Sequence, residues 1–413
     1  MPVRTATRIL RELLDITDAF VQEFALIEHV LVVRVRPKNQ VPRCSQCRRP
    51  RAGYDQLGQR FWRHLSLGRW LICLTYVPRR VSCPDCGVRV EDLPWAAPES
   101  RFTLAFEEMV AYLAQLTDKT HVTEIMTISW RTVGRIVERV TARRLDPGRL
   151  DGLRRLGIDE FSYRKRHRYI TIVVDHDRRR VVWAAPGHSA EALEGFFKEL
   201  GPERSSKIEE VTIDMSAAYK TALEQCVPQA KVIFDRFHVQ RLATDAVDEV
   251  RRSLMRELDE GEERRAVKRS RFVLLKNPWN LRISEKAKLR TIERKNRGLY
   301  RAYLLKETLA AALDYRQPKR ATEALTAWLA WASRSKLAPF LKASRTIRKH
   351  FDGILAYVKG RLTNGFAEGI NNKLRMVTRR AFGFHSAEAL IAMLFLTAGG
   401  ITLDPPLPGF DPH

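Results

Sequence analysis

Three acidic residues stand where metal-dependent chemistry on phosphate would need them. Asp159 closes a strand-like run, Leu156-Gly157-Ile158-Asp159-Glu160, and Asp214 closes another, Val211-Thr212-Ile213-Asp214. Carboxylates at the ends of neighbouring strands can share two divalent ions about 4 Å apart, which activate an attacking oxygen and stabilise a leaving one. A third carboxylate completes such a cage. Glu368, near the start of a helix within the Gly- and Asn-rich stretch from Thr363 to Lys373, is placed for it. Hard oxygen ligands favour Mg2+ or Mn2+. Each acid also has a plainer role when taken singly, because Asp at a strand end often closes a turn and Glu on a helix is usually solvated. Glu160 is a rival to Asp159. Side chains alternate along a strand, so only one of the two faces the metals.

The cysteines point to a second metal. Cys44-x-x-Cys47 and Cys83-x-x-Cys86, with 35 residues between the pairs, match a tetrahedral site of four thiolates. Pro84 and Gly87 suit a tight knuckle, and the intervening residues read as strands. The expectation is a zinc ribbon-like module with an enlarged hairpin. Its one Zn2+ is structural, since four thiolates leave no open position. A redox role is the alternative for either pair alone. Cys73 and Cys226 lie in apolar runs and read as core.

Residues 117–143 read as a helix-turn-helix. Val122, Ile125 and Met126 mark a short first helix, and Ile128 could plug the turn. Ser129 can cap a second helix whose apolar face is Val133, Ile136, Val137 and Val140. The other face carries Arg131, Thr132, Arg135 and Arg139, the arrangement of a recognition helix. A purely structural helix pair is the alternative.

The elements that position these residues divide the chain into five stretches. These are a zinc-binding module (1–97), a helix-turn-helix domain (98–150), a first part of an α/β core (151–240), a basic helical insertion (241–345) and a C-terminal part carrying the third acid (346–413). In the first core part, Tyr169–Val174 and Val181–Ala184 read as hairpin arms around Asp175-His176-Asp177, and Ser189 reads as the cap of a following helix. Residues 251–300 hold 16 Lys and Arg against 7 Asp and Glu, with Trp279, Tyr300 and Tyr303 among or beside them, a composition suited to phosphate contact and stacking. Trp328 and Trp331 read as core. The uncharged run Ala389–Leu403 reads as a buried helix, since a membrane span needs about 20 apolar residues.

The 413 residues contain 73 Lys and Arg against 48 Asp and Glu, a net charge of +25. Such a surplus draws polyanions, DNA above all. Residues 1–18 show no sustained apolar core, so no export signal is expected and the protein is placed in the cytosol with the nucleoid.

The stretch from about 156 to 395 resembles the DDE transposases of the ISL-three insertion-sequence family. The likeness rests on Gly157-Ile158-Asp159-Glu160-Phe161, Thr212-Ile213-Asp214-Met215-Ser216, Asp235-Arg236-Phe237-His238-Val239, Asn364-Gly365-x-x-Glu368-Gly369-x-Asn371-Asn372-Lys373 and Arg380-Ala381-Phe382-Gly383-Phe384. It implies a multidomain α/β protein with a ribonuclease-H-like catalytic core interrupted by the helical insertion, and Asp159, Asp214 and Glu368 as its metal-binding triad. The 154 positions between Asp214 and Glu368 fit an inserted unit better than a loop. Through the same likeness Asp235 and His238 look site-adjacent, orienting the scissile strand. Their plain alternative is a helix cap and a locally packed ring. The implied partners are double-stranded DNA, as element ends and target, and further copies of the chain; no membrane is expected. The implied reaction is metal-dependent cleavage at terminal inverted repeats followed by strand transfer. A non-catalytic DNA-binding regulator and a structure-specific nuclease on the same fold are the alternatives.

Overall fold

A computed structural model describes residues 3–16, 18–164, 168–381, 384 and 386–407. They form two units, residues 1–145 with 388–413, and residues 146–387.

The first unit opens with a helix, α1 (Val3–Leu13). Strands β1 (Ala19–Ile27), β2 (Val30–Pro37), β3 (Gly53–Gln56), β4 (Arg60–Leu67), β5 (Trp70–Tyr76), β6 (Arg79–Cys83) and β7 (Gly87–Val90) follow. They make one sheet in the order β1-β2-β5-β4 and a small one in the order β3-β6-β7. Alternation decides what is buried. In β2, Leu31, Val33 and Val35 pack with Trp62, Ile72, Leu74 and Trp95, while Arg34 and Arg36 face solvent. Helices α2 (Leu104–Leu116), α3 (Lys119–Met126) and α4 (Trp130–Arg144) are capped by Thr103, Asp118 and Ser129, each accepting a hydrogen bond from its own first turn.

The second unit is built on a five-stranded sheet. It begins with β8 (Arg155–Arg164), β9 (Arg168–Asp175) and β10 (Arg180–Pro186), then α5 (Ala190–Leu200) and α6 (Pro202–Ser205). The strand β11 (Glu210–Ile213), α7 (Ala217–Cys226) and β12 (Lys231–Phe234) complete it. The order is β10-β9-β8-β11-β12. The first three strands run antiparallel as a meander, and β11 and β12 run parallel to β8. The hairpin of β9 and β10 turns at the expected Asp175-His176-Asp177. Ser189 stands at the start of α5, but its side chain makes no cap bond.

The basic stretch is helical throughout: α8 (Arg236–Glu257), α9 (Glu262–Val267), α10 (Arg271–Leu275), α11 (Ile283–Lys295), α12 (Arg297–Asp314), α13 (Pro318–Ser333), α14 (Ala338–Lys349) and α15 (Phe351–Gly360), with α16 (Gly365–Arg380) returning to β8. One continuous core joins Leu156, Ile158 and Phe196 of the sheet region to Leu309, Trp328 and Phe340 of these helices. Trp328 is buried as expected and donates its indole N–H to Leu305 O at 2.7 Å. Tyr303, read from sequence as a surface aromatic, is buried as well, whereas Trp279 is 73% exposed.

The last helix, α17 (Ala387–Ala398), belongs with the first unit rather than closing the second. Gln115 and Thr141 donate side-chain hydrogen bonds to its Leu396 and Ala392 carbonyls. Within the motif Arg380–Phe384, Phe382 and Gly383 lie outside the described residues.

Candidate functional site

The acids gather at one end of the β8-β11-β12 edge. Register pairs Thr212 with Gly157, so continuing both chains by two residues brings Asp214 level with Asp159. Asp214 follows the last residue of β11, as expected, and its Oδ1 accepts the Ser216 N–H at 2.9 Å. Asp159 does not close its strand: β8 runs on to Arg164 because β9 pairs with it along that length. Glu160 turns away to a hydrogen bond from Tyr219, in keeping with strand alternation.

Helix α16 closes over this edge. Asn371 donates from Nδ2 to Asp159 Oδ2 at 2.7 Å, while its Oδ1 is buried without a partner. Glu368 lies one turn earlier, and residues three apart share a helix face. It therefore stands beside the same carboxylate. The start of α16 is fixed by Asn364, fully buried. Its Nδ2 donates to Ile158 O at 3.3 Å, its Oδ1 accepts from Thr212 Oγ1 at 3.1 Å, and its backbone N–H donates to Asp235 Oδ1 at 3.2 Å.

Asp235 occupies the cap position of α8 but makes no cap hydrogen bond, because its carboxylate is used on Asn364. This overturns the plain capping role. Carboxylate oxygens of Asp235 and Glu368 and a ring nitrogen of His238 lie within 4.8 Å of one another. Asp159, Asp214 and Glu368 do not themselves form a group that tight. Asp159 and Asp214 are tied to the cluster by charge. Burial raises the Asp159 carboxyl to about 6; the Glu160 N–H and His238 oppose the rise, and Asp214 and Glu368 add to it. Burial and then Asp235 raise Glu368, against His238 and Arg375. A set of carboxylates, Asp235 buried and the others half-buried, with one imidazole in reach is the electrostatic setting that a divalent cation relieves. The orphaned Asn371 oxygen adds a further hard donor there. The sequence contained both asparagines without showing their roles, which depend on contacts across 129 to 212 positions.

In the first unit the four Sγ atoms of Cys44, Cys47, Cys83 and Cys86 also lie within 4.8 Å of one another. Burial acts to raise the Cys83 thiol, but the Arg51 guanidinium and the Asp85 and Cys86 N–H groups outweigh it and bring the thiol to about 6. A β-bridge from Cys44 to Glu91 ties the first knuckle to the small sheet. Glu91, buried, holds both Nε and Nη2 of Arg79 and accepts the Tyr76 hydroxyl at 2.9 Å.

On α4, Arg131 and Arg135 are exposed, Thr132 is half-buried, and Ser129 accepts the Thr132 N–H. Arg139 departs from the expected DNA-facing row. Its Nε donates to Glu107 Oε1 at 2.9 Å, and Arg143 reaches the other oxygen at 3.1 Å. Glu107 is fully buried on α2 and needs both cations. Two adjacent acids in the apolar run Leu104–Leu116 were the sequence signal for this. Ile125, expected to pack, is 62% exposed.

A family model described as a transposase matches residues 156–394, and one described as the helix-turn-helix domain of transposase family ISL3 matches residues 91–141. The chain is 40% identical to the transposase for insertion sequence element IS1557 of Mycobacterium tuberculosis, over 93% of this chain and 91% of that protein. It is 30% identical to the transposase for insertion sequence element IS1001 of Bordetella parapertussis, over 87% and 89% of the two chains.

Proposed function

The chain belongs to the ISL3 family of DNA transposases, and from that membership we propose that its second unit is a ribonuclease-H-like core using Asp159, Asp214 and Glu368 to cut and join DNA. The observation that carries this reading is the convergence of Asp159, held by Asn371, with the Asp235–His238–Glu368 cluster on one sheet edge. The strand order, a three-strand meander flanked by two parallel strands, agrees with such a core.

Asp159, Asp214 and Glu368 would hold two Mg2+ or Mn2+ ions, with Asn371 Oδ1 and Asp235 beside them. Bound there, such ions supply activation of an attacking oxygen and stabilisation of the leaving one. The chain's own part is positional. Asn364 fixes the first turn of α16, Asn371 orients Asp159, and His238 balances carboxylate charge. Water and then a DNA 3′ hydroxyl would attack in line at the held phosphodiester, with no covalent protein intermediate.

The four cysteines are compatible with one structural Zn2+ in the module at residues 1–97, next to the helix-turn-helix. We assign this part the reading of the element's terminal inverted repeats, with Arg131, Thr132 and Arg135 facing DNA and Ser129 capping their helix. A dimer or larger assembly follows only from the need to pair two ends.

Replacing Asp159, Asp214 or Glu368 with Ala is expected to abolish cleavage and joining of end-bearing DNA in Mg2+ while leaving end binding intact. Glu160→Gln should be far milder. Strand transfer at the normal rate by Asp214→Ala would end the proposal.

A further inference from the structure

A second basic feature of the α/β unit lies apart from the acid cluster. Four lysines from four elements surround one concavity: Lys220 of α7, Lys231 of β12, Lys349 of α14 and Lys359 of α15. The cavity is about 360 Å3, and Asp352 is the carboxylate in its wall. Lys220 and Lys231 have Glu224 and Glu210 at 3.6 Å. Among the described residues, Lys349 and Lys359 have no carboxylate within ion-pair distance. The floor is Phe234 and His350, whose rings meet edge to face at 4.6 Å. His350 is 5% exposed and its Nδ1 is buried without a partner. Gly353 lets α15 come this close, since a side chain there would run into the Phe234 ring.

Glu224 and Glu210 offset two of the four ammonium groups, but Lys349 and Lys359 face the cavity without such a partner, and an anion held there would offset their repulsion. Sequence distance hides the feature, because the lysines span 139 positions. Its place in the fold suggests the anion. Phe234, in the floor, directly precedes Asp235 of the acid cluster. Lys231 lies four residues before Asp235, about 13 Å along an extended strand. That is roughly the rise of four base pairs.

We propose that this pocket binds a backbone phosphodiester of the DNA strand, about four base pairs from the reacting phosphate. The distance, but not the pocket, rests on the acid cluster being the site of cutting. Lysine acts here as a point charge on phosphate, so the contact carries position rather than sequence.

The test uses the full chain with Lys349→Ala and Lys359→Ala combined, both residues being exposed and so safe for folding. Binding is measured against salt on an end-bearing duplex and on a random one. Both affinities should fall by the same factor, and the slope of log K against log salt should flatten by about 1. A control pair outside the pocket, Lys198→Ala with Lys207→Ala, should leave the slope in place. An unchanged slope in the pocket variant, or an equal change in the control, overturns the proposal. Inorganic phosphate supplies the other arm, followed through the His350 ring resonances. Saturable binding lost in the pocket variant, with the DNA slope unaltered, would assign the cavity to a free phosphate and also overturn it. An active Asp214→Ala protein would remove the proposed catalytic site while leaving the slope result standing.

Discussion

Gly157 sits in β8 with no room for a side chain. A Cβ there would lie 2.7 Å from Val174 Cγ2 and 2.8 Å from both Asn364 Oδ1 and His176 Nε2. Two of these neighbours belong to the polar group that seats the start of α16. Gly157→Ala should therefore cost about 1–3 kcal/mol in chemical denaturation, as overpacking does, and slow cleavage by shifting Asn364. An unchanged denaturation midpoint would falsify this account of the strand. His176 gives a pH signature. Burial, and then Arg155, depress its imidazole to about 4, and it faces Thr212 Oγ1 at 2.7 Å. Between about 6.5 and 4 the unfolded chain takes up a proton that the folded chain refuses. Its contribution to stability is thus complete above 6.5 and is lost as pH falls towards 4. The variant His176→Gln should show a flatter loss of stability across that window, whatever its absolute stability. Equal slopes for the two proteins would contradict the assignment.

At the scale of elements, the helix-turn-helix is held by charge as much as by packing. Glu107 and Glu108 of α2 are buried against Arg139, Arg143 and Arg144 of α4. Removing one partner from a buried pair leaves an uncompensated charge, typically costing about 3–5 kcal/mol. Glu107→Ala should lower the thermal midpoint of the first unit by a margin of that order. Arg131→Ala should leave the midpoint alone and weaken end binding, and the reverse pattern would exchange their roles. The cysteine knuckles make a similar case. The small β3-β6-β7 sheet packs only Val81 among the thiols as a core, too little to hold three short strands without a cross-link. Metal analysis should find one zinc per chain, and chelation should release the sheet, seen as loss of amide protection at Arg79–Val90. Protein without zinc that keeps this protection would show that the sheet stands unaided.

At the scale of the whole molecule, the helical insertion and the five-stranded sheet share one core. Residues 241–345 are therefore packed as an integral part of the second unit. Trp328→Ala removes a fully buried indole and its bond to Leu305. It should cost about 3–5 kcal/mol, with sheet and insertion lost in a single transition. Two separated transitions, one for the sheet and one for the helices, would show that the core is not shared.

By itself the sequence determined what local spacing and local chemistry can specify. The paired CxxC knuckles, the strand ending just before Asp214, the Ser129-capped helix and the burial of Trp328 were all readable, because each depends on residues a few positions apart. Motif likeness placed the chain in its family. Tertiary structure decided what depends on long-range partners. It spent Arg139 on Glu107, carried Asp235 past its own helix to Asn364, gave Asn371 to Asp159, buried Tyr303 and gathered four lysines into one cavity. A side chain's type states which bonds it can make. Only the packing of distant elements determines which partner lies within 3 Å, and desolvation then makes that partner obligatory.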